Sequence, residues 1–215
     1  MIFDKGDKLL FIGDSISDYD RKRPVGEGLF GAWGTSYVSC IGSLITCMYP
    51  EEEIRVVNMG VSGNQARDLE ARWQTDVLDL KPDWVSVLIG INDVWRQFDS
   101  PLIKEDHVSL EDYAACCERL VKDTLPRVKG MILMTPYIME PNRNDPMRRR
   151  MDEYGDVIRA LAKKYGTVLV DLQQAWDELF RYMHPMNIAW DRIHPNQIGC
   201  MYIAKRFLKE VGFDR

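Results

Sequence analysis

Five short apolar runs, separated by longer segments of helical spacing, constrain the fold of this chain more than any other feature. The runs cover residues 9–12, 54–58, 84–89, 131–134 and 168–171. Between them lie 37–49, 66–80, 110–125 and 147–165, and two further helical patterns, 172–181 and 197–211, close the chain. An apolar run of this length bounded by turn residues reads as a strand buried on both faces. Alternation of such strands with helices predicts a parallel sheet covered on both sides, with right-handed crossovers. Ser109 with Asp112 reads as a helix start, and Gly166 after Tyr165 as a helix stop. At 215 residues one domain, 1–215, is expected.

Composition narrows the class of partner. A net charge of −5 gives no electrostatic reason to expect nucleic acid or an anionic membrane. The run Arg148-Arg149-Arg150 reads as the solvated face of a helix. No apolar stretch approaches the roughly 18 residues that span a bilayer. Residues 1–8 carry charge where a signal peptide needs its apolar region. The five cysteines, Cys40, Cys47, Cys116, Cys117 and Cys200, are odd in number and lack zinc-site spacing, so free thiols are expected. A cytoplasmic protein without membrane or nucleic-acid partners is the expectation.

Chemistry concentrates after the strands. The first run leads into Gly13-Asp14-Ser15, the second into Asn58-Met59-Gly60-Val61-Ser62-Gly63-Asn64, and the third into Gly90-Ile91-Asn92-Asp93. Near the end comes Trp190-Asp191-Arg192-Ile193-His194-Pro195. Each piece alone has a structural explanation: a helix cap at Asp14, Ser15 or Asn92, a turn at Gly63, a helix start at His194. Together they supply what ester hydrolysis needs. A serine hydroxyl requires an adjacent base to act as nucleophile. Of the three histidines only His194 has a carboxylate, Asp191, three residues earlier in a compact loop. Such a carboxylate orients the ring and stabilises the imidazolium. The backbone N–H groups of Ser15 and Gly63 and the side-chain amide of Asn92 are candidate oxyanion donors. Segments 18–31 and 98–109 follow strand ends and are expected to rim a pocket, with a solvent-exposed excursion as the alternative.

These four blocks resemble those of the SGNH (GDSL-type) hydrolase superfamily, with Gly-Asp-Ser-Ile in place of Gly-Asp-Ser-Leu as a minor departure. The resemblance implies a flavodoxin-like three-layer α/β/α sandwich with a five-stranded parallel sheet. It also implies Ser15 as nucleophile, His194 as acid and base, Asp191 as its orienter, and an oxyanion hole of Ser15, Gly63 and Asn92. Segments 9–17, 26–28, 81–97, 133–136, 145–149 and 190–195 are similar to bacterial intracellular acetylxylan esterases, which implies an acetylated saccharide substrate and a homo-oligomer. Trp190 and Trp95 are candidate apolar walls or a face for a sugar ring, with core packing as the alternative.

No metal or organic cofactor is expected. The pattern Gly26-x-Gly28-x-x-Gly31 lacks the strand-turn-helix setting of a dinucleotide site. Two alternatives stay open on sequence: a lysophospholipase or acyl-thioesterase with the same triad and a longer acyl chain, and a flavodoxin-like binding module without catalysis.

Overall fold

The computed structural model describes residues 1–213. Its five strands are β1 (Lys8–Gly13), β2 (Arg55–Asn58), β3 (Trp84–Leu88), β4 (Gly130–Met134) and β5 (Val168–Val170), all parallel, in the order β2-β1-β3-β4-β5. Each predicted run coincides with one of them. The register places Leu10 of β1 opposite Val57 on one side and Val85 on the other. All three are buried, as a sheet covered on both faces requires.

The helices are α1 (Ser15–Asp18), α2 (Tyr37–Met48), α3 (Ala66–Trp73), α4 (Ile91–Asp99), α5 (Leu110–Thr124), α6 (Pro146–Tyr165), α7 (Leu172–Leu179) and α8 (Gln197–Glu210). Helix α8 packs on α2 and α7, while α5 packs on α3 and α6, and α6 on α4. The sheet lies between these two groups, giving the expected three layers. Caps follow the sequence signals. Ser109 accepts the Asp112 N–H at 3.0 Å, and Gly166 ends α6 at φ 67.

Two departures from the expected elements bear on the site. The segment 66–80 is not one regular helix: after Trp73 it widens into a π-turn over Gln74–Leu78, with the Asp79 N–H donating to the Gln74 carbonyl. Residues after Gly90, read as a polar strand end, form α4, which takes Phe98 and Asp99 out of the expected loop. Gly90 makes this turn possible. Its φ is 132, and a side-chain carbon there would lie 2.9 Å from Pro136 and from the Tyr113 hydroxyl.

Strands β1 and β3 form the switch point of the sheet, since the chain runs outward from β1 to β2 and then crosses back to β3. Open α/β sheets place ligands outside the carboxyl ends of strands at this position. Ser15 follows β1 and Asn92 follows β3.

Candidate active site

Ser15 occupies the first position of α1, with Asp14 as its cap. Its Oγ lies 2.7 Å from His194 Nε2, although 179 residues separate the two. The other ring nitrogen, Nδ1, lies 2.6 Å from Asp191 Oδ2. With the proton on Nδ1, the ring donates to Asp191 and accepts from the Ser15 hydroxyl. The three side chains thus form a continuous chain, as the sequence predicts.

Asp191 also organises its own loop. Its Oδ1 accepts the N–H groups of Ile193 and His194, both at 2.9 Å. Partial burial pushes the Asp191 carboxyl up, but bonds from the His194 ring and these two N–H groups outweigh it and hold the carboxyl below its usual range. It therefore stays charged wherever an imidazole titrates. Tyr19 closes one side of the ring, 6.3 Å away, and its hydroxyl donates to the Pro195 carbonyl at 2.8 Å. Trp95 meets the ring edge-on at 6.1 Å.

The three candidate donors follow adjacent strands. Gly63 lies in the turn after β2 with φ 83, Ser15 follows β1, and Asn92 stands in the first turn of α4 after β3. Among the described residues, the N–H groups of Ser15 and Gly63 donate to no protein group. The Asn92 amide donates to the Asn64 carbonyl at 3.0 Å, and its oxygen accepts from Arg96 at 3.3 Å. That pairing fixes which end of the amide is the donor.

Several residues with no catalytic signature hold these loops together. Asn58, fully buried, donates to the carbonyls of Ser17 and Trp33 and accepts the Gly60 N–H. Arg72 donates to Asn64 Oδ1, to the Met59 carbonyl and to the Gly13 carbonyl, bridging the ends of β1 and β2. Asp18 accepts from the Ser62 N–H and hydroxyl, each at 2.9 Å, and pairs with Arg23. Arg72 also pairs with Asp76, four residues on in the sequence. Nothing in that spacing reports its other contacts.

The two expected rims are placed differently. The start of 18–31 reaches the site, through Asp18 and Tyr19, while Gly26 pairs with Asn58 and so covers the open edge of β2. In the second segment the carbonyls of Glu105 and Asp106 accept from Arg67 and Gln65 at the start of α3. Trp190 is 87% exposed and lines a cleft of about 310 Å³ with Glu140, His184, Met186 and Arg192. Core packing is thereby excluded for Trp190. Trp95 is half-buried against His194, with the Arg96 guanidinium 5.0 Å from its ring centre.

Beneath the site sit two buried acids, Asp14 and Asp93. Asp14 Oδ1 accepts the Ile16 N–H, whereas its Oδ2 has no partner; Asp93 accepts the Ala66 N–H. Burial pushes both carboxyls up to about 7, and the Asp93 charge adds to the push on Asp14. Unfolded, both ionise near pH 4, at about the ordinary carboxylate value. The folded chain therefore holds protons that the unfolded chain has released. This contribution to stability is complete below about pH 4 and is lost as pH rises through about 7. The expected result is a Tm that falls between about pH 5 and about pH 8, with a flatter profile in Asp14→Asn and Asp93→Asn. The depressed carboxyls, such as Asp191, act at lower pH and leave this window alone. A wild-type Tm that rises across it removes the assignment.

Among the described residues, no group of three or more His, Cys, Asp or Glu side chains is placed to hold a metal ion. No helix of the described residues is long and apolar enough to cross a membrane.

A five-stranded parallel α/β/α fold in which a serine after β1 contacts a histidine that in turn contacts an aspartate defines a serine hydrolase. The chain belongs to the GDSL-like lipase/acylhydrolase family, whose profile matches residues 11–200, and it is a carboxylic ester hydrolase. It is 54% identical over 209 residues to an acetylxylan esterase of Geobacillus stearothermophilus, covering 97% of this chain and 95% of that protein. The crystal structure of Axe2, an acetylxylan esterase from the same organism, superposes with a TM-score of 0.98 at 54% identity, over 100% of this chain and 98% of the other. LAE5, an alpha/beta hydrolase enzyme from the metagenome of Lake Arreo, Spain, superposes at 0.97 with 52% identity, over 99% and 98%. These comparisons agree with the superfamily that the four sequence blocks suggest.

Proposed function

We propose that the chain is a single-domain serine esterase, 1–215, that removes acetyl groups from xylo-oligosaccharides through an acetyl-enzyme on Ser15. The observation that carries this reading is the unbroken contact from Ser15 Oγ through the His194 ring to Asp191, at 2.7 and 2.6 Å. Further support comes from the relatives. Structures of Axe2 include the variants S15A, D191A and H194A, each described as a catalytic mutant, and Axe2 is also described as an acetyl-xylooligosaccharide esterase.

In this mechanism Ser15 Oγ attacks the acetyl carbonyl while His194 Nε2 takes the hydroxyl proton. The resulting oxyanion is held by the N–H groups of Ser15 and Gly63 and the amide of Asn92. Such donors act strongly because they are fixed before the charge develops. As the C–O bond to the sugar breaks, His194 returns the proton to the departing oxygen and acetyl-Ser15 remains. Water then attacks the acyl carbon with His194 again as base, and acetic acid leaves as Ser15 regains its proton. Trp95, edge-on to the His194 ring, and exposed Trp190, in the neighbouring cleft with His184 and Arg192, serve as walls or sugar faces.

A panel of acetyl, butyryl and octanoyl esters together with acetylated xylo-oligosaccharides tests the substrate. The expected order of kcat/KM is acetyl first, with the oligosaccharides turned over. A preference for octanoyl moves the reading to a lysophospholipase or acyl-thioesterase. Cytoplasmic residence belongs to the same proposal and is supported by the five cysteines, all free. A homo-oligomer does also, supported by exposed Leu29, Phe30, Leu102 and Trp190. Its test is a solution mass of at least twice 25.0 kDa, and a mass of one chain removes it.

A further inference from the structure

The loop that carries Asp191 and His194 turns through Arg192, whose φ is 68. A side chain with a Cβ is strained there, and glycine is the residue that meets the requirement freely. Arginine stands at the bend nonetheless, and both its ends are engaged. Its carbonyl accepts the Met139 N–H at 2.8 Å. Its guanidinium Nη1 donates to Glu140 Oε2 at 2.8 Å and to Asp145 Oδ2 at 3.3 Å.

Those carboxylates are anchored in turn. Asp145 caps α6 by accepting the Arg148 N–H at 3.0 Å. The Arg148 side chain does not join the solvated face expected of Arg148-Arg149-Arg150: it is only 2% exposed and donates to the Glu140 carbonyl at 2.6 Å, to both oxygens of Asp177 at 2.8 Å, and to Asp152 at 3.0 Å. The segment after β4 and the start of α6 are thus tied rigidly to α7. Arg192 connects that frame to the loop holding the base.

We propose that Arg192 is a positioning residue for the hydrolytic reaction, a two-ended latch that holds the 191–194 bend so that the His194 ring meets Ser15. The proposal rests on His194 being the base. It assigns to the guanidinium a task that the backbone alone does not perform. Misplacement of a reacting group by about 1 Å costs on the order of a hundredfold in rate, which sets the scale of the effect.

The test compares R192A, R192K and R192G with wild type on p-nitrophenyl acetate, with the rate of fluorophosphonate labelling at Ser15 and the Tm of each variant. In R192A, kcat and labelling rate are expected to fall by about 10- to 100-fold, with KM within about twofold and a cooperative melt retained. R192K keeps one donor and is expected to recover most of the loss. R192G relaxes the backbone without restoring the latch and is expected to remain impaired. Exposed Arg143, which pairs with Asp177 in the same cluster, serves as control, and R143A is expected to keep kcat within about twofold.

Wild-type kcat in R192A overturns the proposal. So does full activity in R192G, which makes the bend alone sufficient. A loss in R143A equal to that in R192A also overturns it, because the effect then belongs to the whole cluster. Loss accounted for by the unfolded fraction, with normal labelling of the folded protein, assigns Arg192 to stability alone. Failure of the underlying reading has a separate signature: wild-type chain that is not labelled, or S15A that still turns over the ester.

Discussion

Ser15→Ala is expected to lower kcat on an acetyl ester by about a millionfold while leaving the Tm within a few degrees of wild type. Both parts follow from what the side chain touches. Its Oγ contacts His194 Nε2, and the cap of α1 is Asp14 rather than Ser15. Removing the hydroxyl therefore removes the atom that carries the acyl group and little else. The residual rate is the share contributed by oxyanion donors and substrate placement alone. His194→Ala should fall as far, because nucleophile and base act as a unit. Turnover and a thermal melt on the same preparation check this, and an S15A rate within tenfold of wild type removes Ser15 from the chemistry.

Asp191→Asn is the second large expectation, a loss of about 10⁴-fold in kcat with the fold retained. The amide oxygen still accepts the N–H groups of Ile193 and His194, so the bend survives. The amide nitrogen, however, is a donor facing Nδ1 where an acceptor stood. The ring then takes the opposite tautomer, with its proton on Nε2, and no longer accepts from Ser15. Asp191→Ala gives up the loop bonds as well. Comparing the two by kcat and Tm separates the tasks of the carboxylate: both variants lose rate, and only the alanine loses stability. Equal Tm losses would show that the loop bonds are not what distinguishes them.

The strands were legible because a strand covered on both faces has no alternative to a run of apolar side chains. Leu9 to Ile12 and Val85 to Leu88 sit at the centre of the sheet and look the same in sequence as in space. Helix α4 was not legible, because Gly90, Asn92 and Asp93 carry turn chemistry and hide the apolar positions Ile91 and Val94. The site divides along similar lines. Ser15, Asp191 and His194 stood out because few residue types perform their chemistry and the spacing of Asp191 to His194 is local. Asn58, Arg72 and Tyr19 did not, since each works through carbonyl groups brought near by the fold. The segment 18–31 is ambiguous for the same reason: a polar, glycine-rich stretch reads alike whether it rims a pocket, as Asp18 and Tyr19 do, or caps a sheet edge, as Gly26 does.

The order of the site along the chain has a consequence for synthesis. In the proposed mechanism the nucleophile follows the first strand, while the base and its carboxylate come after the last, just before α8 docks on α2. Domains are made from the amino terminus onward, so the serine leaves the ribosome long before its activating partners. A nascent chain stopped before Trp190 has Ser15 with no base beside it. On the proposed roles, the chain therefore has no activated nucleophile until Asp191 and His194 are made and reach Ser15.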